Sequence, residues 1–127
     1  MAKIDPAVLV DSAIMIDHFN GIPAATAYLS EMQGKLAISV ITRAEVLTGF
    51  KGKGWRLARR LLDRFPTLII DRTISDLAAT LRRQNRWKIR DALQAALAKH
   101  HKLKLATRDT DDFPPKRYRF VIVPCTL

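Results

Sequence analysis

Carboxylates next to short apolar segments are the residues of this sequence with the clearest chemical potential. The chain of 127 residues has 12 acidic residues, and four of them fall within residues 88–113. One opens a predicted helix and three follow a predicted strand, in the order Asp91, Asp109, Asp111 and Asp112. In the first half of the chain, Asp11 ends an apolar run and Glu45 follows a second one. Carboxylates that converge repel one another unless a counter-charge is present, so this pattern predicts a site for a divalent cation.

Mg²⁺ or Mn²⁺ is the cation that the available ligands favour. Hard cations of this kind prefer oxygen ligands. The chain has three His and one Cys, and their spacing is not that of a zinc site. We therefore expect four acids to meet around the metal, whereas Asp112 is either a turn residue or an additional candidate ligand and Asp111 is solvated. These four are Asp11, Glu45, Asp91 and Asp109.

Alternating apolar strands and amphipathic helices must position these acids. Strands are predicted at residues 8–10, 36–41, 67–70, 103–107 and 120–123, and helices at 13–19, 24–32, 42–48, 55–65, 73–86 and 89–100. The alternation predicts one α/β domain, with helices on both faces of a mostly parallel sheet of about five strands. Functional residues collect beyond the carboxyl ends of such strands, so Asp11 and Asp109 are expected at one edge.

Each of these acids also has a purely structural interpretation. Asp11 is placed to cap the helix that follows it, and Asp91 would favour the positive end of its own helix. Thr42 and Glu45 have the spacing of a capping box, which predicts that a helix begins at Thr42. Asp71 closes the third predicted strand, and we expect it to cap the next helix rather than to join the site.

Composition and charge restrict the class of protein. Net charge is +10; residues 1–50 contain three basic and five acidic residues, whereas residues 51–127 contain 19 basic and seven acidic ones. A basic surface of this size favours a polyanionic partner such as nucleic acid. We expect no membrane span and no secretory signal. The single cysteine, Cys125, excludes an internal disulfide and indicates a cytoplasmic protein.

Four short segments resemble one family when they are taken in order. VLVDS, ITRAEV, RDALQAALA and LATRDTDDF are similar to motifs of the PIN-domain ribonucleases, above all the VapC-type toxins of bacterial and archaeal toxin–antitoxin pairs. The similarity extends over residues 8–123 and implies a PIN-like three-layer α/β/α sandwich formed by residues 1–127. It makes Asp11, Glu45, Asp91 and Asp109 the successive acids of the site. Ser12 stands where the family more often has Thr and would support the site, and Lys102 stands where the family often has Gly.

The resemblance also implies an activity and partners. The expected protein is a Mg²⁺- or Mn²⁺-dependent endoribonuclease that hydrolyses RNA phosphodiester bonds. It would be inhibited by a cognate antitoxin protein, and it would form a homodimer. Basic residues close in sequence to the acids are the candidates for binding the RNA backbone, namely Arg82, Arg83, Arg86, Lys88, Arg90 and Arg108.

Two other functions remain open from the residues themselves. A basic nucleic-acid-binding module without catalysis would explain the charge. A phosphoacceptor receiver domain would suit the chain length and the α/β alternation, with Asp71 as the acceptor, although Asp11 is followed by Ser-Ala-Ile rather than by a second acid. The chain contains neither the GxGxxG nor the GxxxxGK[ST] pattern, which argues against nucleotide-cofactor folds.

Overall fold

A computed structural model describes residues 6–108, 110–111 and 113–123. The described strands are β1 (Val8–Val10), β2 (Leu36–Ser39), β3 (Thr67–Leu68), β4 (Lys104–Ala106) and β5 (Val121–Ile122). The described helices are α1 (Ser12–Phe19), α2 (Pro23–Glu31), α3 (Val40–Thr48), α4 (Gly52–Leu62), α5 (Arg72–Asn85) and α6 (Ile89–His100). The expectations for Asp109, Asp112 and Cys125 fall outside the described residues.

The five strands form one parallel sheet in the order β3-β2-β1-β4-β5. From the central strand β1 the chain moves outward on one side through β2 and β3. Helices α5 and α6 then cross back over the sheet, and β4 and β5 extend it on the other side. The strand order therefore reverses at β1, which has β2 on one side and β4 on the other. The carboxyl ends of these strands flank a crevice, and open α/β sheets bind ligands in a crevice of this kind.

Alternate residues along the strands build two separate hydrophobic cores, one on each face of the sheet. Leu9 and Leu105 belong to the core that includes α5 and α6. Val10 and Ile38 belong to the core that includes residues of α1, α2, α3 and α4. Successive side chains of a strand point to opposite faces, which produces this division. The predicted three-layer α/β/α sandwich around a parallel sheet is confirmed.

The boundary between β2 and α3 differs from the prediction. The helix begins at Val40, and Ser39 is its N-cap, with its hydroxyl accepting a hydrogen bond from the backbone N–H of Thr42 at 3.0 Å. The predicted capping box of Thr42 and Glu45 is therefore wrong. The hydroxyl of Ser39, directly before Val40 and Ile41, is a suitable N-cap, so the helix begins earlier than predicted. Glu45 therefore takes no part in a capping box, and its carboxylate is available for a distant partner.

Helix α4 also begins earlier than predicted, at Gly52 rather than Trp55. Its buried residues are Ala58 and Leu62, whereas Trp55 is 36% exposed and lies against the guanidinium of Arg59. The amphipathic pattern of residues 55–65 predicts Trp55 on the inward face together with Ala58 and Leu62. This prediction is wrong for Trp55, because the part of the helix that contacts the core is its second half. Strands β3, β4 and β5 are each shorter than predicted.

Helix α6 packs closely on the sheet because its inward residues are small. The pattern of residues 89–100 predicts an inward face that includes Ile89, Ala92 and Ala96, whose small alanines allow close approach to the sheet. Ala92 and Ala96 are fully buried, and so are Ala95 and Ala98. The exception is Ile89, which was expected to face inward and is 55% exposed. The first turn of α6 lies at the carboxyl edge of the sheet, because the helix runs back over the sheet to the start of β4. Among the described residues, no helix is long and apolar enough to cross a membrane.

Candidate active site

Asp11 follows the central strand and is almost completely buried, with 4% of its surface exposed. Its Oδ1 accepts a hydrogen bond from the backbone N–H of Ser12 at 2.8 Å and so caps α1. Its Oδ2 accepts a hydrogen bond from the hydroxyl of Thr107, at the end of β4, at 3.0 Å. The capping role and the site role that the sequence suggested for Asp11 are thus compatible. Two neighbouring strand ends fix this carboxylate.

Glu45 and Asp91 reach the same place from two different helices. Glu45 lies in the second turn of α3, with a side chain that is 38% exposed. Asp91 lies in the first turn of α6 and is buried, with 4% exposed. Together with Asp11 they form a group that we call the acidic cluster, defined as Asp11, Glu45 and Asp91. The structure therefore brings together three of the four predicted acids, and Asp91 is among them because α6 begins at the carboxyl edge of the sheet.

Arg90 lies at the centre of the acidic cluster. Its Nε donates to both carboxylate oxygens of Glu45, at 3.0 and 2.9 Å. Its Nη1 donates to Oδ1 of Asp91 at 2.9 Å, and its Nη2 lies 2.6 Å from Oδ1 of Asp11 and 2.8 Å from Oε1 of Glu45. Nη2 is also 2.6 Å from the hydroxyl of Ser12. One guanidinium group therefore contacts every member of the cluster.

The protonation of Arg90 follows from these contacts. Partial burial alone would lower the pKa of its guanidinium, because it disfavours the charged form. The hydrogen bonds and charges of Glu45 and Asp11 together outweigh burial and raise the pKa of Arg90 above its ordinary value. Arg90 is therefore a permanent cation in this site.

Gln94 is a part of the site that the sequence analysis missed. It is fully buried, and its Nε2 donates to Oδ1 of Asp11 at 3.1 Å and to the hydroxyl of Thr42 at 3.0 Å. The spacing of three residues from Asp91 places both side chains on one face of α6 and was the signal available in the sequence. Thr42 contributes an acceptor at the base of the site rather than the helix cap predicted for it.

The donor chemistry of the acidic cluster fits a hard divalent cation. Three carboxylates and one guanidinium leave a net charge of −2, which a single Mg²⁺ or Mn²⁺ would neutralise. Carboxylate and hydroxyl oxygens are the ligand types such ions prefer. Within residues 6–108, 110–111 and 113–123, however, no group of three His, Cys, Asp or Glu side chains is arranged to hold a metal ion as it stands. The guanidinium of Arg90 lies between the acids.

The remaining predicted ligands follow β4 in the sequence, as does Arg108, a predicted RNA contact that the structure describes. Asp109 and Asp112 are outside the described residues, so their roles stay predictions, and Asp111 is exposed as expected. Arg108 forms an ion pair with the buried Asp17 of α1, with its Nε 2.8 Å from Oδ2 and its Nη2 3.1 Å from Oδ1. This pair ties Arg108, which follows β4, to the first helix.

Basic side chains lie on the surface beside the start of α6. Four of the predicted RNA contacts are exposed at the end of α5 and in the link to α6, namely Arg82, Arg83, Arg86 and Lys88. Three of them line an open pocket with Ala79, Trp87 and Ile89. We call it the basic pocket; Ile89, one of its lining residues, directly precedes Arg90 in the sequence.

Asp71 has the structural role expected of it. Its Oδ1 accepts a hydrogen bond from the backbone N–H of Ile74 at 3.0 Å and caps α5. It follows β3, the strand at the edge of the sheet on the far side of β2 from β1. Neither its partner nor its position supports the phosphoacceptor interpretation.

Both the sequence and the fold of this chain are similar to those of known proteins. Ribonuclease VapC10 of Mycobacterium tuberculosis is 38% identical over 114 residues, which cover 84% of this chain and 86% of that protein. The solved toxin–antitoxin complex from Klebsiella pneumoniae includes a chain that is 33% identical, with a TM-score of 0.87 and coverage of 95% of this chain and 100% of that one. FitAcB from Neisseria gonorrhoeae has the same fold, at 24% identity and a TM-score of 0.78, over 94% of this chain and 99% of that chain.

The family match covers the whole region that carries the site. The PIN domain family model matches residues 8–118, a span that includes all six helices named above and strands β1 to β4. It also includes every acid that the sequence motifs assigned to the site. The chain therefore belongs to the PIN-domain family.

Proposed function

We propose that this protein is a metal-dependent endoribonuclease that hydrolyses RNA phosphodiester bonds. The observation that carries the proposal is the convergence of Asp11, Glu45 and Asp91 at the carboxyl edge of the sheet, next to the point where the strand order reverses. Acids drawn from three separate parts of the chain form one site there. A 38% identical relative is a ribonuclease by name, and we extend that substrate class to this chain.

The acidic cluster would hold Mg²⁺ or Mn²⁺, with Asp109 and Asp112 as further candidate ligands. The chemistry supplied by such a cation, when bound, is to lower the pKa of a water molecule and to offset the charge that develops on the phosphate. The carboxylates themselves orient the water and do not form a covalent intermediate. Gln94 and Thr107 hold the carboxylate of Asp11 in one orientation, and ligands fixed in this way bind metal more tightly.

The basic pocket would bind the backbone of the RNA. Arg82, Arg83 and Arg86 are exposed and line one pocket together with Ile89, the residue before Arg90. Contacts from such residues to phosphates provide affinity without sequence selectivity. Arg90 and Arg108, which were also predicted RNA contacts, are paired with acids in the structure, so their contact with RNA stays a prediction.

The biological setting that we propose is that of a toxin. A 33% identical chain belongs to a toxin–antitoxin complex, and we infer that this protein is held inactive by a cognate antitoxin protein. We also infer a cytoplasmic location, a homodimer, and a single PIN-like domain formed by residues 1–127.

The test is cleavage of a labelled single-stranded RNA by the purified chain. We expect cleavage with Mg²⁺ or Mn²⁺ and none after chelation. Glu45→Gln removes one carboxylate of the cluster at nearly constant volume, and we expect it to reduce the rate at least about a hundredfold, since the loss of groups that only orient a ligand costs about 10–100-fold. Glu31→Gln, at an exposed position of α2, is the matched control and should cleave normally.

The competing function makes a different prediction in the same experiment. A non-catalytic nucleic-acid-binding module would bind the labelled RNA in a salt-dependent manner and leave it intact with every divalent cation. Binding without cleavage by the intact protein would favour that module. Equal cleavage by Glu45→Gln and by the unaltered protein would show that the acidic cluster is not the active site.

A further inference from the structure

Arg90 lies where a cation is expected, in the middle of the acidic cluster. Three nitrogens of its guanidinium group lie 2.6–3.0 Å from carboxylate oxygens of Glu45, Asp91 and Asp11. We propose that Arg90 is an internal counter-ion that competes with divalent metal for the acidic cluster. The inference rests on the proposed function in one respect, namely that the cluster binds metal.

Competition follows because the guanidinium and a metal ion would need the same oxygen atoms. Both oxygens of Glu45 and Oδ1 of Asp11 and of Asp91 accept hydrogen bonds from Arg90. Lone pairs that are directed at N–H groups are not available to a metal. A guanidinium and a divalent cation that share these oxygen atoms in a partly buried site would also repel each other strongly. The guanidinium must therefore leave before the cluster can bind a divalent cation through these atoms.

The same contacts explain the presence of a cationic side chain among the three acids. Asp11 and Asp91 are each 4% exposed, and buried carboxylates without a partner destabilise a fold. Arg90 neutralises part of this charge and holds the acids from β1, α3 and α6 in place when no metal is bound. Its bidentate contact with Glu45, the most exposed of the three acids, orients a side chain that would otherwise be free to rotate.

Arg90→Met tests the competition because methionine fills much of the space of the arginine stem without its charge. We measure Mn²⁺ affinity by calorimetry and the melting temperature with and without chelator. We expect Mn²⁺ to bind at least about tenfold more tightly than to the unaltered protein, since one charge-assisted hydrogen bond that need not be broken is worth about a factor of ten. We also expect a lower melting temperature in chelator and a larger rise when Mn²⁺ is added.

Two further variants separate the charge of Arg90 from other effects. Arg90→Lys retains the charge but lacks the planar fork, so its Mn²⁺ affinity should fall between those of Arg90→Met and the unaltered protein. Arg119→Met removes an exposed arginine that precedes β5 and is the control for a general change in net charge. Its Mn²⁺ affinity and melting temperature should match those of the unaltered protein.

A direct measurement on the unaltered protein does not depend on the folding of a variant. The Nε–H of Arg90 should give a nitrogen-15 NMR signal that is protected from exchange with water in the metal-free protein. Saturation with Mg²⁺ should shift this signal and remove its protection. A signal that stays in place with its protection unchanged at saturating Mg²⁺ would overturn the proposal, even if Arg90→Met failed to fold.

The calorimetric outcomes distinguish this inference from the proposed function. If the unaltered protein and Arg90→Met bind Mn²⁺ equally well, or if the variant binds more weakly, the competition is refuted while the metal site stands. If neither protein binds Mn²⁺, the metal site is refuted and the competition with it. Tighter binding by Arg90→Met together with release of the Arg90 signal supports the proposal.

Discussion

Asp11 and Asp71 occupy the same local pattern and have different environments. Each follows a strand and caps the helix after it, Asp11 through the N–H of Ser12 and Asp71 through the N–H of Ile74. Asp11 is buried and also contacts Arg90 and Gln94 of α6 and Thr107, which follows β4. Asp71 is exposed, and its carboxylate caps α5.

The difference lies in where each strand is in the sheet. Strand β1 is central, with β2 and β4 on its two sides, whereas β3 is at the edge. A carboxylate after the central strand is within reach of elements on both sides of the reversal in strand order. A carboxylate after the edge strand has protein on one side only. The local pattern of strand, acid and helix therefore predicts a cap in both cases, and the order of the strands decides which acid joins a site.

The largest expected difference between the two acids is in catalysis. Asp11→Asn retains the size of the side chain and its capping ability, but it removes a negative charge from the acidic cluster. We expect RNA cleavage to fall at least about a hundredfold, because a ligand should matter more than the groups that orient it, which contribute about 10–100-fold. Asp71→Asn is the matched change at the edge strand and should cleave at the normal rate. Similar losses in both variants would mean that the two acids do not differ in function.

A smaller effect on catalysis is expected from the buried amide that holds Asp11. Gln94→Met removes the donor to Asp11 and to Thr42 at similar volume. Cleavage and Mn²⁺ affinity should fall by about 10–100-fold, the range for groups that orient metal ligands. The melting temperature should change little, because removal of the buried Oε1 of Gln94, which has no hydrogen-bond partner among the described residues, offsets the loss of the two donated hydrogen bonds. Gln84→Met, at an exposed position of α5, should leave both cleavage and affinity unchanged.

The cap formed by Asp71 should contribute to stability and not to activity. Asp71→Ala should lower the free energy of unfolding by about 1 kcal/mol, the usual loss when an N-cap side chain is removed. Urea denaturation measures this, with Asp76→Ala at an exposed position inside α5 as the control. A variant that is as stable as the unaltered protein would show that the hydrogen bond to Ile74 does not support α5.

The smallest effect concerns the turn that connects α6 to β4. Lys102 has a φ of +58°, a left-handed conformation that favours glycine, and glycine is the residue that the family often has there. Lys102→Gly should raise the free energy of unfolding by about 0.5–1 kcal/mol through relief of this strain. Lys99→Gly, inside α6, should instead lower it by about 1 kcal/mol. Destabilisation by both changes would mean that the turn is not strained.

Much of the fold and part of the site could be predicted because they depend on local patterns. The apolar run before Asp11 indicated a buried strand, and the alanines of α6 indicated close packing on a sheet. Both are confirmed. The start of α3 was predicted incorrectly, since Ser39 and Thr42 both suit an N-cap and the choice between them depended on which residues the sheet could pair. Gln94 was missed because a glutamine inside a helix has no distinctive signal until its partner is known.

The sequence by itself determined the types of the elements, the excess of basic charge in the second half, and the family, because each of these depends on composition or on spacing along the chain. Only the tertiary structure decided which charges meet. Arg90 lies 45 residues from Glu45 and 79 residues from Asp11 along the chain, and its position within a basic stretch suggested contact with RNA. The crossover of α6 instead carries its side chain into the acidic cluster. Charges interact according to their separation in space, and that separation is set by the order of the strands.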